Sequence, residues 1–325
     1  LSPCAYLLPR PVLTHVMPAR SKLTNRSLAK HLIALRVRLS TAKLSWTEAF
    51  VDSAQGLEAL EALFDKAAQK PGKDVVVAAS EEGKMVQVEC VRCLRALMNT
   101  DVRPPLSLSL STTFSPMLTL SSCSQIGFSR VVARPSLVTS VVFSIYSPSL
   151  KLRSLVADVL AAMCLLSHDG RRLVLSAFSD ARLDHGEKYR FEWLVDRIKV
   201  VDLPDDRTID GSSVLSGADE EDDADEASFF EWRTAAMSLV NALANSPHDL
   251  EERMTLRDEF ARRGLNDAIQ GLRYVDPPDA LLRQLNVYVE ERQEDQEELR
   301  RPADRATSAS SLPSRGSKHT MSRLC

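Results

Sequence analysis

The sequence lacks the motifs on which many active sites depend. Only 11 of its 325 residues are glycine, and it contains no glycine-rich phosphate loop, no nucleophile-elbow serine and no HExxH metal motif. Nucleotide-binding loops use the backbone freedom of glycine, so their absence removes one large class of enzymes. The sequence gives poor support to catalysis, and we expect no catalytic residue, no metal site and no cofactor.

Cysteine is scarce and scattered. The six cysteines, at positions 4, 90, 93, 123, 164 and 325, show no disulfide framework, which favours a reducing compartment. Cys90 and Cys93 have the spacing of half a zinc site, but no second Cys or His pair follows, so two core side chains are favoured. Cys164 and His168 have the helical spacing of a thiolate and its base, although the apolar surroundings of Cys164 favour a packed thiol.

Long hydrophobic runs and an overall charge are also missing. No window offers about 18 uninterrupted apolar residues, because Arg134 and Pro135 break the best one, so no membrane span is expected. The net charge is -3, from 41 basic and 44 acidic residues, and it gives no general attraction to nucleic acid or to anionic lipid. We expect a cytoplasmic protein.

Charge is instead separated along the chain. Residues 10–43 contain eight basic side chains and no acidic one, whereas residues 219–226 are almost wholly acidic. No aromatic residue lies between Thr24 and Ser45, which disfavours nucleic acid as a partner of the basic stretch. A solvated helix face and a binding face for an acidic protein remain as the two interpretations.

Helical periodicity dominates the remainder. Leucines at positions 28, 32, 35 and 39 predict an amphipathic helix over residues 27–39 with a basic outer side. Ser45, three residues before Glu48, has the pattern of a capping box at the start of a second helix. Residues 85–99, 152–166 and 232–246 resemble one another when Ala96, Ala162 and Ala242 are aligned. Three such helices predict an all-α, armadillo-like helical repeat solenoid.

Two segments interrupt the repeat. Ala96 and Ala162 are 66 residues apart, and removal of residues 102–125 leaves 42, which is within the roughly 40 to 47 of an armadillo repeat. This segment, VRPPLSLSLSTTFSPMLTLSSCSQ, is compatible with splice-donor and splice-acceptor codons at its ends. We interpret it as a retained intron, with a long loop as the alternative. Residues 202–228 are predicted to form an acidic, disordered loop.

The composition of the two ends of the chain predicts their structure. Residues 1–18 are predicted to be irregular or disordered, and residues 303–325 to be a disordered tail. Residues 286–302 are charged almost all round, which predicts a long C-terminal helix that acts as a linker or starts a coiled coil.

The stretch LRVRLSTAKLSWTEAF, residues 35–50, resembles the signature of diaphanous-related formins. GLEAL, VECVRCLRALMNT, GFSRVV, SLVADVLAAMCLLS and VNALANSP follow in the order of that family, so the resemblance runs from about Lys22 to Asp295 and is nearest to fungal members. It implies the N-terminal regulatory half of a formin. The GTPase-binding segment would be residues 19–46, and the armadillo-repeat inhibitory (formin homology three) domain residues 47–285.

The resemblance also implies the partners. A GTP-loaded Rho-family GTPase would bind the N-terminal segment and first repeat, and the armadillo groove would bind an amphipathic autoregulatory helix from the C-terminus of the same polypeptide. The chain would control actin filament nucleation at the cytoskeleton or cell cortex, and would reach actin only through domains that it lacks. A homodimer is left open. The alternative is a generic armadillo scaffold for an unrelated peptide.

Site residues follow from the same resemblance. The GTPase contacts would be Arg36, Val37, Ser40, Thr41 and Ala42. The groove contacts would be Asn99, Ala162 and Leu165, to which we add Asn241 and Asn245. The two late asparagines are added because polar side chains on an apolar inner helix can satisfy a bound peptide; core packing or helix capping is the alternative for every groove residue.

Overall fold

The computed structural model describes residues 25–67, 81–99, 126–199 and 219–310. Within those ranges every regular element is helical, which confirms the all-α prediction. The described ranges contain thirteen α-helices: α1 Asn25–Thr41, α2 Leu44–Glu48, α3 Gly56–Ala67, α4 Glu81–Met98, α5 Ile126–Val132, α6 Pro135–Phe143, α7 Leu150–Leu166, α8 His168–Asp184, α9 Glu192–Ile198, α10 Asp219–Asn245, α11 Leu250–Arg262, α12 Leu265–Tyr274 and α13 Asp279–Ser310. A π-helical turn, Ala49–Ser53, follows α2, and a 3₁₀ turn, Ser144–Tyr146, follows α6.

The three similar stretches of sequence are the inner helices α4, α7 and α10. Helix α7 packs against α4 on one side and against α10 on the other. The positions that the alignment brings into register are 0% exposed in all three helices: Leu94, Leu97, Leu160, Met163, Val240 and Leu243. The aligned positions therefore form the continuous core of the repeat. Burial of each of these large side chains contributes about 1.5–3 kcal/mol to the stability of the fold.

The other helices surround these three. Helix α6 packs against α8, α11 and α13 pack together, and α1 lies along α4. Aromatic rings join the outer layer between repeats: the Phe191 ring is tilted against Phe178 at 5.0 Å and stacked on Phe260 at 4.7 Å, measured between ring centroids.

The acidic segment is shorter than the sequence predicts. Helix α10 begins at Asp219, so residues 219–228 are helical and not part of a loop. Acidic residues are favourable in the first turns of a helix, where they face the positive end of its dipole, and this gives DEEDD a place inside α10. Residues 202–218 lie outside the described residues, as do residues 1–18 and the segment 102–125.

Helix α13 is held against the repeats up to Glu298. Its residues Leu281, Leu285 and Tyr288 are 0% exposed, and Asp295 forms ion pairs with Arg253 and Arg257 of α11 at 2.7 and 2.6 Å. The charged sequence of residues 286–302 predicts a linker that projects from the repeats. In the structure one of its charged residues, Asp295, is instead buried against the two arginines of α11. The helix reaches Ser310, so residues 303–310 of the predicted tail are helical.

The capping-box prediction is wrong. The N-cap of α2 is Lys43, whose side chain makes no capping hydrogen bond, and Ser45 lies inside the helix. The aromatic side chains of this turn account for the earlier start, since Trp46 and Phe50 are both buried and their rings stack at 5.6 Å.

Candidate functional site

Helix α1 is attached to α4 by an apolar seam. Leu32, Leu35 and Leu39 are at most 5% exposed, and the Cys93 thiol of α4 donates to the Leu32 carbonyl at 3.2 Å. One turn further along α1, Arg36 Nε donates to the Glu89 carboxylate at 3.0 Å. Residue numbers rise along α1 as they fall along α4, so the two helices run antiparallel.

The opposite side of α1, here called the outer face, is exposed. It combines an apolar centre with basic ends and no acidic side chain; its members are Arg26, Lys30, Ile33, Ala34, Val37, Arg38 and Thr41. Ile33 is 37% exposed and Val37 54%, which is unusual for large apolar side chains. The guanidinium of Arg38 lies 5.8 Å from the Trp46 ring centroid, and this contact ties the basic end of the face to α2.

The predicted GTPase contacts fall into three groups. Val37 lies at the centre of the outer face. Ser40 and Thr41 belong to the last turn of α1, where their hydroxyl groups donate to the Arg36 and Val37 carbonyls at 3.0 and 2.9 Å, and Ala42 packs partly against the core.

Arg36 is the third group, because it lies on the seam. Glu89 also accepts from Arg92 at 2.6 Å, and Glu89 is only 5% exposed. The charge of Arg36 therefore serves the attachment of α1 to α4. The helical spacing that exposes Ile33, Ala34 and Arg38 beside Val37 is readable from the sequence, and these three residues were missed.

Exposed positions of the inner helices form a second surface, here called the inner groove. On α7 it follows Lys151, Leu155, Asp158, Ala162 and Leu165, which are spaced by three or four residues and share one face. An ion pair of 3.6 Å between Arg95 and Asp158 joins α4 to α7 across the groove. Partial burial raises the pKa of Asp158, and Arg95 opposes that rise.

Three of the predicted groove residues are accessible on this surface. Asn99 is exposed at the end of α4, Ala162 is half-buried, and Leu165 is 64% exposed. Leu166, which is 55% exposed, lies beside Leu165 and was missed. Leu166 is exposed because α7 ends at this residue. The spacing of apolar residues in the sequence does not show where the helix ends.

Asn241 and Asn245 make internal contacts instead. Asn241 is 6% exposed, and its amide nitrogen donates to the carbonyl and the side-chain oxygen of Gln284, both at 2.9 Å. Asn245 accepts from Arg257 at 2.8 Å. The two asparagines join α10 to α13 and to α11, so we remove both from the groove.

The three cysteines in the described part of the chain, Cys90, Cys93 and Cys164, are packed thiols. Burial raises the pKa of Cys90, and it raises the pKa of Cys93 and Cys164 to about 12. A thiol with such a pKa is not a thiolate at neutral pH, so Cys164 lacks the ionised form that a nucleophile needs. His168 lies on the surface, 3.8 Å from Asp169.

Metal ligands and membrane-spanning helices were also sought in the described part of the chain. No group of three or more His, Cys, Asp or Glu side chains there could hold a metal ion. No single helix there is long and apolar enough to cross a membrane. One bent pair, Ile126–Val132 with Pro135–Tyr146, meets the length and composition requirements jointly, with an 83° bend, and this is weak evidence for a span.

Two family models match the chain. The Diaphanous GTPase-binding Domain matches residues 14–117, and the Diaphanous FH3 Domain matches residues 171–314. The first match extends far beyond residue 46, where the sequence predicts the end of the GTPase-binding segment. The packing of α1 along α4 explains why one domain model includes both helices.

Relatives and a solved structure agree with this family. Formin-F of Dictyostelium discoideum is 28% identical over 80% of this chain, and cytokinesis protein sepA of Emericella nidulans is 28% identical over 76%. The chain spans only 17% and 13% of their lengths. E. histolytica Formin1, solved bound to EhRho1-GTPgammaS, has a TM-score of 0.56 at 13% identity, with 90% of this chain and 79% of that one covered. The chain belongs to the diaphanous-related formins, and it corresponds to their N-terminal GTPase-binding and FH3 region.

Proposed function

We propose that this region binds a GTP-loaded Rho-family GTPase through the outer face of α1 and the last turn of that helix. The observation that carries the proposal is the exposure of Ile33 and Val37 between basic ends, on a helix whose other side is fully packed. An apolar centre with a charged rim is the usual build of a protein interface, and a rim without acidic residues suits an acidic partner.

The inner groove takes the second ligand, an amphipathic helix from the C-terminal part of the full-length formin. Ala162 leaves room for a close approach, and Leu165 offers an apolar contact that solvent now covers. Peptide helices that dock in grooves place their apolar side chains on such positions. Asn99, at the edge of the groove, supplies hydrogen-bonding groups for the ligand.

Helix α4 connects the two surfaces. One side of α4 holds α1 through Glu89 and Cys93, and another side reaches α7 through the Arg95–Asp158 ion pair. A ligand that shifts α1 acts on the helix that also borders the groove, and the coupling between two ligands is reciprocal. We propose that this coupling is negative, so that GTPase binding weakens the binding of the autoregulatory helix. Its release frees the remainder of the formin, near the cytoskeleton, to assemble actin filaments.

The test is a competition experiment with the 325-residue chain. The probe is the C-terminal tail of sepA, labelled with a fluorophore, and the competitor is a Rho-family GTPase loaded with a GTP analogue or with GDP. We expect saturable tail binding, and release by the GTP form at concentrations at least about tenfold lower than for the GDP form. Equal effects of the two forms would remove the GTPase proposal. If the chain does not bind the tail, the proposed helical ligand of the groove is wrong, and the groove would bind a different peptide.

A further inference from the structure

Thr41 is the last residue of α1 and a member of the outer face. It is exposed, and its hydroxyl group donates to the Val37 carbonyl at 2.9 Å. Ala42 and Lys43 follow it outside any helix, before α2 begins at Leu44. Because helix ends fray and open locally at low free energy, the Thr41 hydroxyl group is accessible to another protein.

The residues before Thr41 have the charge pattern that arginine-directed protein kinases recognise. Arg38 lies three positions before Thr41, and Arg36 lies five positions before it. No other serine or threonine of the sequence has arginines at both of these positions. Ser40, the neighbouring hydroxyl group, has Val37 at the third position instead. Since kinases select substrates partly by charge patterns, pattern and exposure together select Thr41.

The last turns of α1 must open before a kinase can act, because a kinase binds its substrate as an extended chain. Arg38 is exposed, whereas Arg36 has to leave the Glu89 carboxylate. Opening also exposes Leu39, which is 1% exposed in the closed helix. Only a small fraction of the chains is therefore open at one time, and a GTPase that covers the last turn keeps it closed.

We propose that Thr41 is a phosphorylation site for an arginine-directed serine/threonine kinase, and that its phosphate weakens GTPase binding. The effect on binding rests on the proposed function of the outer face. In the reaction, Thr41 Oγ1 forms a bond to the γ-phosphorus of ATP, and the bond from that phosphorus to the oxygen shared with the β-phosphate breaks. ADP leaves, and the hydroxyl proton passes to a carboxylate of the kinase.

The phosphate changes the charge at one basic end of the outer face. It adds about −1.5 to −2 charges at neutral pH. Val37 and Arg38 precede Thr41 by four and three residues, so both are its neighbours on the same side of the helix. The phosphate attracts the Arg38 guanidinium away from the Trp46 ring, which it contacts at 5.8 Å. A rim that suits an acidic partner then carries negative charge beside its apolar centre and repels that partner.

The experiment compares GTPase binding before and after phosphorylation. The 325-residue chain is treated with protein kinase B, as the arginine-directed kinase, and MgATP, and mass spectrometry locates the phosphate. The binding probe is a Rho-family GTPase loaded with a GTP analogue. We expect phosphate on Thr41 and an affinity about tenfold lower after treatment. Thr41→Ala is the matched control: whatever its own affinity, treatment should change it less than about twofold.

Two further measurements separate a charge effect from a folding defect. The loss of affinity should shrink at about 300 mM salt, where exposed charges are screened, and thermal unfolding should be the same for treated and untreated chain. The GTP-loaded GTPase, at about ten times its Kd, should slow phosphorylation of Thr41 about tenfold, because it binds the closed turn and not the opened one.

The outcomes distinguish this inference from the proposed function. Absence of phosphate from Thr41, or its appearance on Ser40 instead, overturns the modification site. Phosphorylated chain that binds the GTPase as well as untreated chain does overturns the regulatory effect, while the proposed function stands. If untreated chain does not bind the GTPase, the proposed function and the regulatory effect both fail, and the mass spectrum alone decides whether Thr41 is a kinase substrate.

Discussion

Helix α4 holds α1 on one side and borders the inner groove on another, but the outer face of α1 and the groove differ in chemistry. The outer face has basic ends and no acidic residue. The groove opens into a cavity whose apolar wall is bordered by two basic and two acidic side chains: Arg92, Lys151, Asp158 and Glu231. Charge of one sign speeds encounter with an opposite partner and makes binding sensitive to salt. A groove with an apolar wall and no net charge instead selects a ligand by the fit of its shape. The two surfaces are therefore suited to one protein partner and one helical segment, and each can be altered without the other.

The largest expected effect is that of Ala162→Asp. A carboxylate at this half-buried position would lose its hydration when the ligand helix docks, without a partner to compensate. We expect tail binding to weaken at least about a hundredfold, or roughly 3 kcal/mol, while GTPase binding stays unchanged. Anisotropy with the labelled sepA tail measures the first quantity and a GTPase titration the second.

Ala34→Asp makes the same substitution on the outer face and serves as the reciprocal control. It should weaken GTPase binding and leave tail binding unchanged, because Ala34 is exposed on α1 away from the groove. Loss of both activities in either variant would show that the surfaces are not separate.

The next effect in size concerns the centre of the outer face. Val37→Asp replaces an apolar side chain that is 54% exposed and adds a negative charge among basic neighbours. We expect affinity for the GTP-loaded GTPase to fall about tenfold, through the lost apolar contact and the altered charge. Leu183→Asp, at a residue of α8 that is 67% exposed, is the matched control and should bind as wild type. An equal loss in both variants would point to a general effect of added negative charge.

A smaller effect is expected from salt, which should weaken GTPase binding more than tail binding. Between about 50 and 300 mM salt, we expect GTPase affinity to fall about fivefold, because exposed charges are screened beyond the Debye length. Tail affinity should change less than about twofold over the same range, since the rim of the groove is balanced. Titrations at four salt concentrations give both slopes. Parallel slopes would contradict the distinction between the surfaces.

Sequence periodicity predicts the buried side of this fold well. The alignment of Ala96, Ala162 and Ala242 identifies three inner helices whose registered positions are fully buried, since core packing imposes a regular pattern on the residues that fill it. The same logic finds the seam leucines of α1. It does not find where charged segments become helical, because the favourable first turn of α10 at Asp219 depends on the helix that follows.

The hydrogen-bond and ion-pair partners of polar side chains could not be predicted from the sequence. Asn241 looks available on an apolar inner helix, yet it donates to Gln284, 43 residues away, and Asp295 is buried by arginines of another helix. Such pairs depend on the three-dimensional packing of distant helices. The assignment of Asn99, Ala162 and Leu165 to a groove ligand stays a prediction, and the side chains of all three are accessible to such a ligand. The fungal assignment also stays a prediction.

The smallest expected effect distinguishes a seam residue from a surface residue. Arg36→Ala removes an ion pair to Glu89, but Arg92 remains to neutralise that carboxylate, so we expect a loss of only about 1 kcal/mol in the free energy of unfolding. Because Arg36 faces α4, its loss should weaken GTPase binding less than about twofold. Arg38→Ala, on the outer face, should weaken GTPase binding about threefold with a smaller change in stability. Thermal unfolding and GTPase titration of the two variants check both quantities. A larger binding defect in Arg36→Ala than in Arg38→Ala would mean that the GTPase reaches the seam between α1 and α4, and the boundary of the outer face would then have to move toward Glu89.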